Sequence, residues 1–244
     1  MQRKFGWNGP RPYKAEQRYS LTSPTTLDHV DRMSLFRPIR DQGQEGDCTG
    51  FGTTGAVETA TKCPTLSAQF VYFNARVAEA TQDSDSGASV GDAVESVMTY
   101  GAAAESVYPT VVGSYAMRPT LDAYADAMER KGIILQPQRV RGLAGMKHAL
   151  ANGYPVVFGF SVPAYYESLG ADGYLPVPDM TYSNWLGGHC QFFDGFDDRD
   201  ARPFIWAPGS WGPDFACNGW VKFDQAWISD SRGLVDEMYA IVPG

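Results

Sequence analysis

The stretch 38-PIRDQGQEGDCTGFGTTGAVE-58 places one cysteine, Cys48, directly after an acidic, glycine-rich turn and at the start of a segment with helical character. Gly52 and Gly55 weaken this helix by about 1 kcal/mol each relative to alanine, so we expect them to allow close packing against another element. The unpaired N–H groups and the macrodipole at a helix start favour a thiolate. Cys48 is therefore either a nucleophile or a small buried hydrophobic residue, which is the commoner role of cysteine.

The composition of the whole chain is that of a globular protein, with 43% hydrophobic and 20% charged residues among 244. The formal net charge of −8 and the lack of a Lys/Arg cluster argue against a nucleic-acid partner. No apolar segment follows the basic N-terminus as in a secretory signal, and the longest apolar run, 155–166, is too short to span a bilayer. We therefore expect no membrane partner. The expected location is the cytoplasm in which the chain is made, or a virus particle if a phage encodes the chain.

The two halves of the chain differ in their pattern. Capping residues and helical periodicity predict helices in the first half, and one of them is expected to bury Leu121, Tyr124, Ala125 and Met128. Apolar segments of strand length dominate the second half. The fold class is therefore predicted as α+β in two lobes, with a cleft between them as the default place for a site. The predicted units are an N-terminal arm at 1–37, a mainly helical lobe at 38–132 and a mainly β lobe at 133–244. The predicted helices are 48–62, 67–80, 89–101, 120–132 and 143–153, and the predicted strands are 133–141, 155–162, 189–197, 203–207, 219–223 and 234–242.

A thiol nucleophile needs a base, and the chain has three histidines. His29 lies in the polar arm, where a solvated side chain is expected. His148 lies in a short helix, where a packed or half-exposed ring is expected. His189 follows Gly187 and Gly188 and opens an apolar strand, so it is the histidine that a loop and strand would hold in a cleft.

Three segments together resemble the papain-like cysteine peptidases. The segment 38–58 resembles their active-site cysteine segment, 187-GGHCQFFDGFD-197 resembles their histidine strand, and 205-IWAPGSWGPDF-215 resembles their third motif. His189 follows Cys48 by a distance within the family's range of about 130 to 150 residues. The arm 4–7 and the segments 66–76, 86–101, 149–162 and 184–189 are similar to the compact bacterial, archaeal and phage branch, which has no long propeptide. The resemblance implies a two-lobe fold, with a helical lobe carrying the cysteine and an antiparallel, barrel-like β lobe carrying the histidine.

The resemblance also implies roles for individual residues in hydrolysis of a polypeptide substrate. Cys48 would attack the peptide carbonyl, His189 would act as general acid and base, and the amide of Gln42 would hold the oxyanion. Gly87 would fall in the segment that pairs with an extended substrate, and Cys190 would face the pocket for the side chain preceding the scissile residue. Each residue also has a structural alternative. Gln42 would be a solvated glutamine in a turn, Gly87 a loop glycine and Cys190 a packed thiol on a strand. We expect no cofactor, and no metal because His, Cys and Asp residues are not clustered at the spacing of metal ligands. The four cysteines are expected to be free thiols.

Two features depart from the family pattern. Gly209 stands where the family has the asparagine that orients the histidine, while Trp211 is either a wall of the site or an ordinary packing residue. Asp47 and Glu45 oppose ionisation of the neighbouring thiol, although the Asp47 side chain is equally suited to cap the helix. We therefore keep two hypotheses, a cysteine endopeptidase of impaired efficiency and a catalytically weak or inactive papain-fold binding or structural protein, such as a phage particle component. An amidase or transferase on the same scaffold is a third interpretation.

Overall fold

The helical lobe is built from four helices, and capping side chains mark the starts of three of them. In the computed structural model, which describes residues 3–10, 17–18, 25–33, 38–134 and 138–244, the side chains of Ser67, Ser89 and Thr120 each accept a backbone N–H three residues further on. These bonds satisfy N–H groups that have no partner inside the helix. The predicted helices of this half are thus confirmed, with ends shifted by a few residues. Their bounds are α1 Cys48–Thr61, α2 Ala68–Ala78, α3 Val90–Tyr100 and α4 Leu121–Met128.

The predicted buried face of α4 is wrong. Leu121 is 87% exposed and Met128 is 50% exposed, whereas Ala123 and Ala127 are fully buried. The small alanines let the helix backbone approach its neighbours closely: a Cβ on Gly101 would lie 1.8 Å from the carbonyl oxygen of Ala127. The apolar pattern indicated burial of the large side chains, whereas the small alanines make the contact.

The second half of the chain supplies most of two five-stranded sheets, with strand orders β1-β3-β10-β4-β6 and β2-β7-β8-β9-β5. The sheets are mainly antiparallel, while the β1–β3 and β5–β9 pairs are parallel. The α+β class is confirmed. The strands are β1 Gln17–Arg18, β2 His29–Val30, β3 Gln138–Arg139, β4 Val156–Pro163, β5 Tyr174–Leu175, β6 Trp185–Phe193, β7 Gly195–Asp197, β8 Phe204–Pro208, β9 Trp220–Asp224 and β10 Val235–Ala240, and two further helices are α5 Gly142–Ala151 and α6 Ala226–Ser229.

Two sequence predictions fall partly on residues that the structure does not describe. The predicted strand 133–141 is represented by β3 alone, and residues 135–137 lie outside the described part. Of the predicted arm 1–37, residues 1–2, 11–16, 19–24 and 34–37 lie outside it as well.

Close packing of α1 against β6 joins the two lobes. A Cβ on Gly52 would lie 2.8 Å from the sulfur of Cys190, and a Cβ on Gly55 would lie 2.6 Å from the ring of Phe192. The glycines therefore let the helix approach the strand, as expected from the sequence. This contact brings the start of α1, with Cys48, beside the part of β6 that carries His189. No helix in the described ranges is long and apolar enough to cross a membrane.

Candidate active site

Cys48 is the first residue of α1, and its side chain is completely buried. Burial raises the pKa of the thiol to about 12; the nearby backbone N–H groups of Cys190 and Gly6 oppose this rise, and the charge of Asp47 adds to it. The N–H group from Gly6 belongs to the arm, so the arm lies directly over the sulfur. In this arrangement Cys48 is a neutral thiol at pH 7.

His189 lies on β6 and is also completely buried. Neither ring nitrogen has a hydrogen-bond partner among the described residues. Burial lowers the pKa of the imidazole to about 3, with a further contribution from the positive charge of Arg3. Because the imidazole and the Cys48 thiol are both neutral at pH 7, no thiolate–imidazolium pair is formed while the cleft is covered.

Four aromatic side chains surround the His189 ring. The ring centroids of Trp211, Phe160, Tyr166 and Phe5 lie 5.4, 5.6, 6.1 and 6.3 Å from the imidazole centroid, and the Phe5 contact is edge-on. Edge-on and tilted contacts of this kind fix ring orientation. The imidazole is thus held by aromatic packing, and Trp211 is one wall of its enclosure.

Gly209 directly follows β8, and the amide of Gln191 lies beside the place where an asparagine side chain would begin. A Cβ on Gly209 would lie 3.4 Å from Nε2 of Gln191 and 3.1 Å from the carbonyl oxygen of Gly219. The Gln191 amide donates to the carbonyl oxygen of Pro208 at 3.2 Å and accepts the hydroxyl of Tyr166 at 3.2 Å. Gln191 was not among the residues expected at the site, although an amide inside an apolar strand, two residues after His189, was a signal.

Gln42 is held rigidly beside the start of α1. Its Oε1 accepts the hydroxyl of Ser210 at 2.5 Å, and its Nε2 donates to the carbonyl oxygen of Glu45 at 2.8 Å. An amide nitrogen carries two N–H groups, so one remains to be offered to a substrate. The N–H of Cys48, in the first turn of α1, has no partner inside the helix. These two groups are the candidate oxyanion donors.

The expectation that the Asp47 side chain caps α1 is wrong. Asp47 occupies the N-cap position, but its backbone angles of −92° and 19° are not the extended ones of a capping residue, and its side chain makes no cap bond. Neither carboxylate oxygen has a partner among the described residues. Burial, with the charge of Glu45 adding to it, raises the pKa of Asp47 well above its ordinary value. Glu45 itself accepts the N–H groups of Gly113 and Tyr115 at 2.5 and 3.2 Å.

Part of the arm, residues 5–8, lies extended in the cleft over Cys48. The N–H of Trp7 donates to the carbonyl oxygen of Gly188 at 2.9 Å, and the arm pairs in parallel with Ala88, which donates to Gly6 at 2.7 Å and accepts from Asn8 at 3.2 Å. Gly87 is packed against this pairing, since a Cβ on it would lie 2.2 Å from the oxygen of Gly6. The segment that contains Gly87 thus pairs with an extended chain, and this chain is the protein's own arm.

Side chains of the arm anchor it on both sides of Cys48. Arg3 donates to Asp41 at 2.5 Å, and Lys4 donates to Asp85 at 2.7 Å. On the other side of Gly6, the indole of Trp7 lies partly buried against the hydrophobic cluster that contains Cys48 and Cys190. The sequence indicated an extended arm but not its place, because no local pattern reports a contact with the other end of the chain.

The remaining candidate residues lie elsewhere. His29, on β2, is close to Asp28, and His148 lies on α5 beside Asn152. Asp194, which directly follows β6, pairs with Arg32. All four cysteines are free thiols, as expected. The described ranges contain no group of three or more His, Cys, Asp or Glu side chains that would hold a metal.

Comparisons with known proteins agree with this geometry. The model of the papain family of cysteine proteases matches residues 23–240. An uncharacterized peptidase C1-like protein of Acanthamoeba polyphaga mimivirus is 28% identical, covering 79% of this chain and 66% of that protein. Pro-cathepsin H of Bos taurus is 23% identical, covering 92% of this chain and 68% of that protein. The chain thus spans about two thirds of the length of these curated relatives.

Solved structures share the fold along the whole chain. Xylellain, a cysteine protease from Xylella fastidiosa, superposes with a TM-score of 0.85 at 24% identity, covering 100% of this chain and 98% of that one. Digestive procathepsin L 3 from the larval midgut of Tenebrio molitor gives a TM-score of 0.73 at 18% identity, with 94% of this chain and 73% of that one covered. The fold is therefore papain-like, with the helical lobe carrying Cys48 and the β lobe carrying His189.

Proposed function

This chain belongs to the papain family of cysteine proteases, and from that premise we propose that it is a thiol peptidase whose own arm, residues 3–8, holds it in a latent form. Cys48 is the nucleophile, His189 the general acid and base, and Gln42 an oxyanion donor. The observation that supports the proposal is the arm itself, which lies extended beside Cys48 and makes backbone bonds with Gly188 and Ala88, as an extended substrate would.

Displacement of the arm changes the chemistry of the two central residues. Burial is the first cause of both the raised Cys48 pKa and the lowered His189 pKa, so solvent entering the cleft moves both toward their ordinary values. The N-terminus of α1 then favours the thiolate, and a proton passes from the thiol to the imidazole. In the latent form the Cys48 thiol and the His189 imidazole are both neutral. In the open form they become a thiolate–imidazolium pair.

The reaction follows from this ion pair. The Cys48 thiolate adds to the substrate carbonyl carbon, and the N–H groups of Gln42 and Cys48 stabilise the oxyanion. The imidazolium of His189 gives its proton to the leaving amine as the C–N bond breaks, which leaves a thioester. His189 then takes a proton from water, which attacks the thioester, and the acid product and the thiol are released. Because Gly209 offers no side chain to His189, we expect slower turnover than in a family member with an asparagine there.

The alternative is a papain-fold protein that binds peptides without cleaving them. The absence of a side chain on Gly209 favours it, and so does the carboxylate of Asp47, which has no hydrogen-bond partner in the described part of the chain, because both work against an ion pair. Both hypotheses assign the same cleft to an extended peptide, and they differ in the reactivity of Cys48. The reaction of the Cys48 thiol with an electrophile therefore distinguishes them.

The test uses a variant in which the arm cannot seat. A Cβ on Gly6 would lie 1.7 Å from the carbonyl oxygen of Gly46, so Gly6→Ala displaces the arm from the cleft. Exposed Pro10 lies in the arm beyond the cleft, and Pro10→Ala is the matched control. We expect a peptidyl vinyl sulfone to modify Cys48 in the Gly6→Ala protein at neutral pH, located by mass spectrometry, and not in the wild type or the control. Absence of the adduct in folded Gly6→Ala protein would eliminate an activated thiol.

A further inference from the structure

Two of the four aromatic rings around His189 carry a polar group. The indole N–H of Trp211 is a donor, and it has no hydrogen-bond partner in the described part of the chain. The hydroxyl of Tyr166 can both donate and accept. Its ring centroid lies 6.1 Å from the imidazole centroid, with the two planes at 59°. Among these four rings, the oxygen of Tyr166 is therefore the acceptor within reach of a protonated His189.

Gln191 holds the Tyr166 hydroxyl in one orientation, and both side chains are buried. The hydroxyl donates to Oε1 of Gln191 at 3.2 Å, and Nε2 of Gln191 donates to the carbonyl oxygen of Pro208 at 3.2 Å. Burial raises the pKa of Tyr166, so the hydroxyl keeps its proton and directs it at Gln191. The lone pairs of the Tyr166 oxygen thus remain open to a second donor.

The fold brings this hydrogen-bonded pair beside the position of the family's asparagine. Successive residues of a strand point to opposite faces, so His189 and Gln191 lie on one face of β6. Tyr166 lies in the short helical turn that follows β4, the strand that pairs with β6. A Cβ on Gly209 would lie 3.4 Å from the Gln191 amide nitrogen. The pair therefore lies next to the place from which an asparagine would reach the imidazole.

From this arrangement we propose that Tyr166, held by Gln191, takes over the part of the asparagine: its hydroxyl oxygen accepts the N–H of the His189 imidazolium. Both are positioning residues, Tyr166 by its contact with the imidazole and Gln191 through Tyr166. The inference rests on the proposed function, because the imidazolium belongs to the open form of the peptidase.

The bond forms when the arm leaves. In the latent form neither nitrogen of His189 has a partner among the described residues, and the ring is neutral and enclosed. Phe5 leaves with the arm, whereas Tyr166 and Gln191 belong to the β lobe and stay. The imidazole then turns toward the hydroxyl as it gains a proton, because a cationic N–H without an acceptor is costly at a buried position. The chain of bonds that ends at the Pro208 carbonyl oxygen polarises the hydroxyl and strengthens the contact.

The bond is tested by titrating His189 without any reaction. In Gly6→Ala/Cys48→Ala protein the cleft is open and the thiol is absent, so the imidazole titrates alone. Its Cε1–H is followed by NMR and assigned by the signal lost in His189→Asn. We expect the pKa of His189 to fall by at least about one pH unit when Tyr166→Phe is added, because a hydrogen bond to a charged group is lost. A His189 pKa that is the same with and without the Tyr166 hydroxyl overturns the proposal.

The role of Gln191 is tested by a double substitution in the same protein. Gln191→Met alone should lower the pKa of His189, and Gln191→Met added to Tyr166→Phe should lower it no further, because the two residues act as one unit. Effects that add would show that Gln191 does not act through Tyr166. Tyr165→Phe is the matched control, since it removes the neighbouring hydroxyl, which donates to the carbonyl oxygen of Pro176. It should leave the pKa of His189 unchanged.

Turnover is compared in the Gly6→Ala protein on a fluorogenic peptide. We expect Tyr166→Phe to lower kcat/KM by about tenfold or more and to move the alkaline limb of its pH profile to lower pH, since the imidazolium loses its proton earlier. Tyr165→Phe should do neither. Cleavage at equal rates with and without the Tyr166 hydroxyl refutes the positioning role and leaves the peptidase standing. A shifted His189 pKa with no cleavage by any of these proteins refutes the peptidase and leaves the bond standing.

Discussion

The indole N–H of Trp7 donates a 2.6 Å hydrogen bond to the carboxylate of Glu237, across a separation of 230 positions in the chain. This bond ties the start of the chain to the last strand of the β lobe, β10. Trp7 itself packs against the hydrophobic cluster that contains Cys48. The contact therefore both fills a side-chain pocket and keeps the nucleophile covered.

Trp7→Phe is expected to weaken the arm without emptying the pocket. Phenylalanine fills most of the space of the indole but has no N–H for Glu237, and a hydrogen bond to a charged group contributes about 1.5 to 3 kcal/mol. The open population, and with it the rate of Cys48 alkylation by iodoacetamide, should rise by about 10- to 100-fold. Pro10→Ala provides the control, and an alkylation rate in Trp7→Phe equal to that of the control would show that the bond does not hold the arm.

The buried neutral imidazole of His189 predicts a pH dependence of stability. Its pKa is lowered from 6.5 to about 3 by burial, so below pH 6.5 the unfolded chain takes up a proton that the folded chain refuses. The contribution of His189 to stability is therefore complete above pH 6.5 and is lost as the pH falls toward 3. The free energy of unfolding of the wild type should fall relative to His189→Asn by about 1.4 kcal/mol per pH unit between pH 6 and 4. The unfolding free energies are measured in urea at each pH. A difference between the two proteins that stays constant over this range would contradict the burial of a neutral ring.

Asp47 predicts the opposite dependence. Burial, with the charge of Glu45, raises its pKa well above 3.8, so as the pH rises past 3.8 the unfolded chain releases a proton that the folded chain retains. Its contribution therefore becomes unfavourable with rising pH, and Asp47→Asn should be more stable than the wild type by about 1 to 3 kcal/mol at pH 8. Asp83→Asn, at an exposed position, is the matched control. A stability difference that does not shrink as the pH falls to 4 would show that ionisation of Asp47 is not its cause.

Gln191 and Gly209 predict a coupled pair of substitutions. Gly209→Asn alone brings a side chain against the Gln191 amide, at a Cβ distance of 3.4 Å, whereas Gly209→Asn/Gln191→Val clears that space. A hydrogen bond to the imidazolium formed in the open state is worth about 1.5 to 3 kcal/mol. In the Gly6→Ala background we therefore expect the double variant to exceed Gly209→Asn in kcat/KM by about tenfold or more. Equal rates would mean that the Gln191 amide does not obstruct an orienting asparagine.

Much of the site followed from the sequence because its signals are local or periodic. The helix start at Cys48, the glycines Gly52 and Gly55, and the strand that carries His189 lie in segments whose pattern predicts their structure. The α4 face was missed because alanines give a weak apolar signal although they permit the closest packing.

Long-range contacts set the rest of the site and leave no mark on a local pattern. The seat of residues 5–8 depends on Gly188 and Ala88, and the pocket for Trp7 depends on Glu237. Each partner is far along the chain, and nothing in the pattern of its own segment indicates the contact. Gln191 was the exception, since an amide in an apolar strand needs a partner.

Hydrolysis of a denatured protein by the Gly6→Ala chain tests the central claim most directly, with the wild type, Pro10→Ala and Gly6→Ala/Cys48→Ala measured beside it. If residues 3–8 hold a working cysteine peptidase in a latent form, Gly6→Ala cleaves the substrate, the wild type and the control cleave it at least about tenfold more slowly, and loss of the Cys48 thiol abolishes cleavage. Gly6→Ala protein that is folded and fails to cleave, or cleavage that persists without the Cys48 thiol, would contradict the claim.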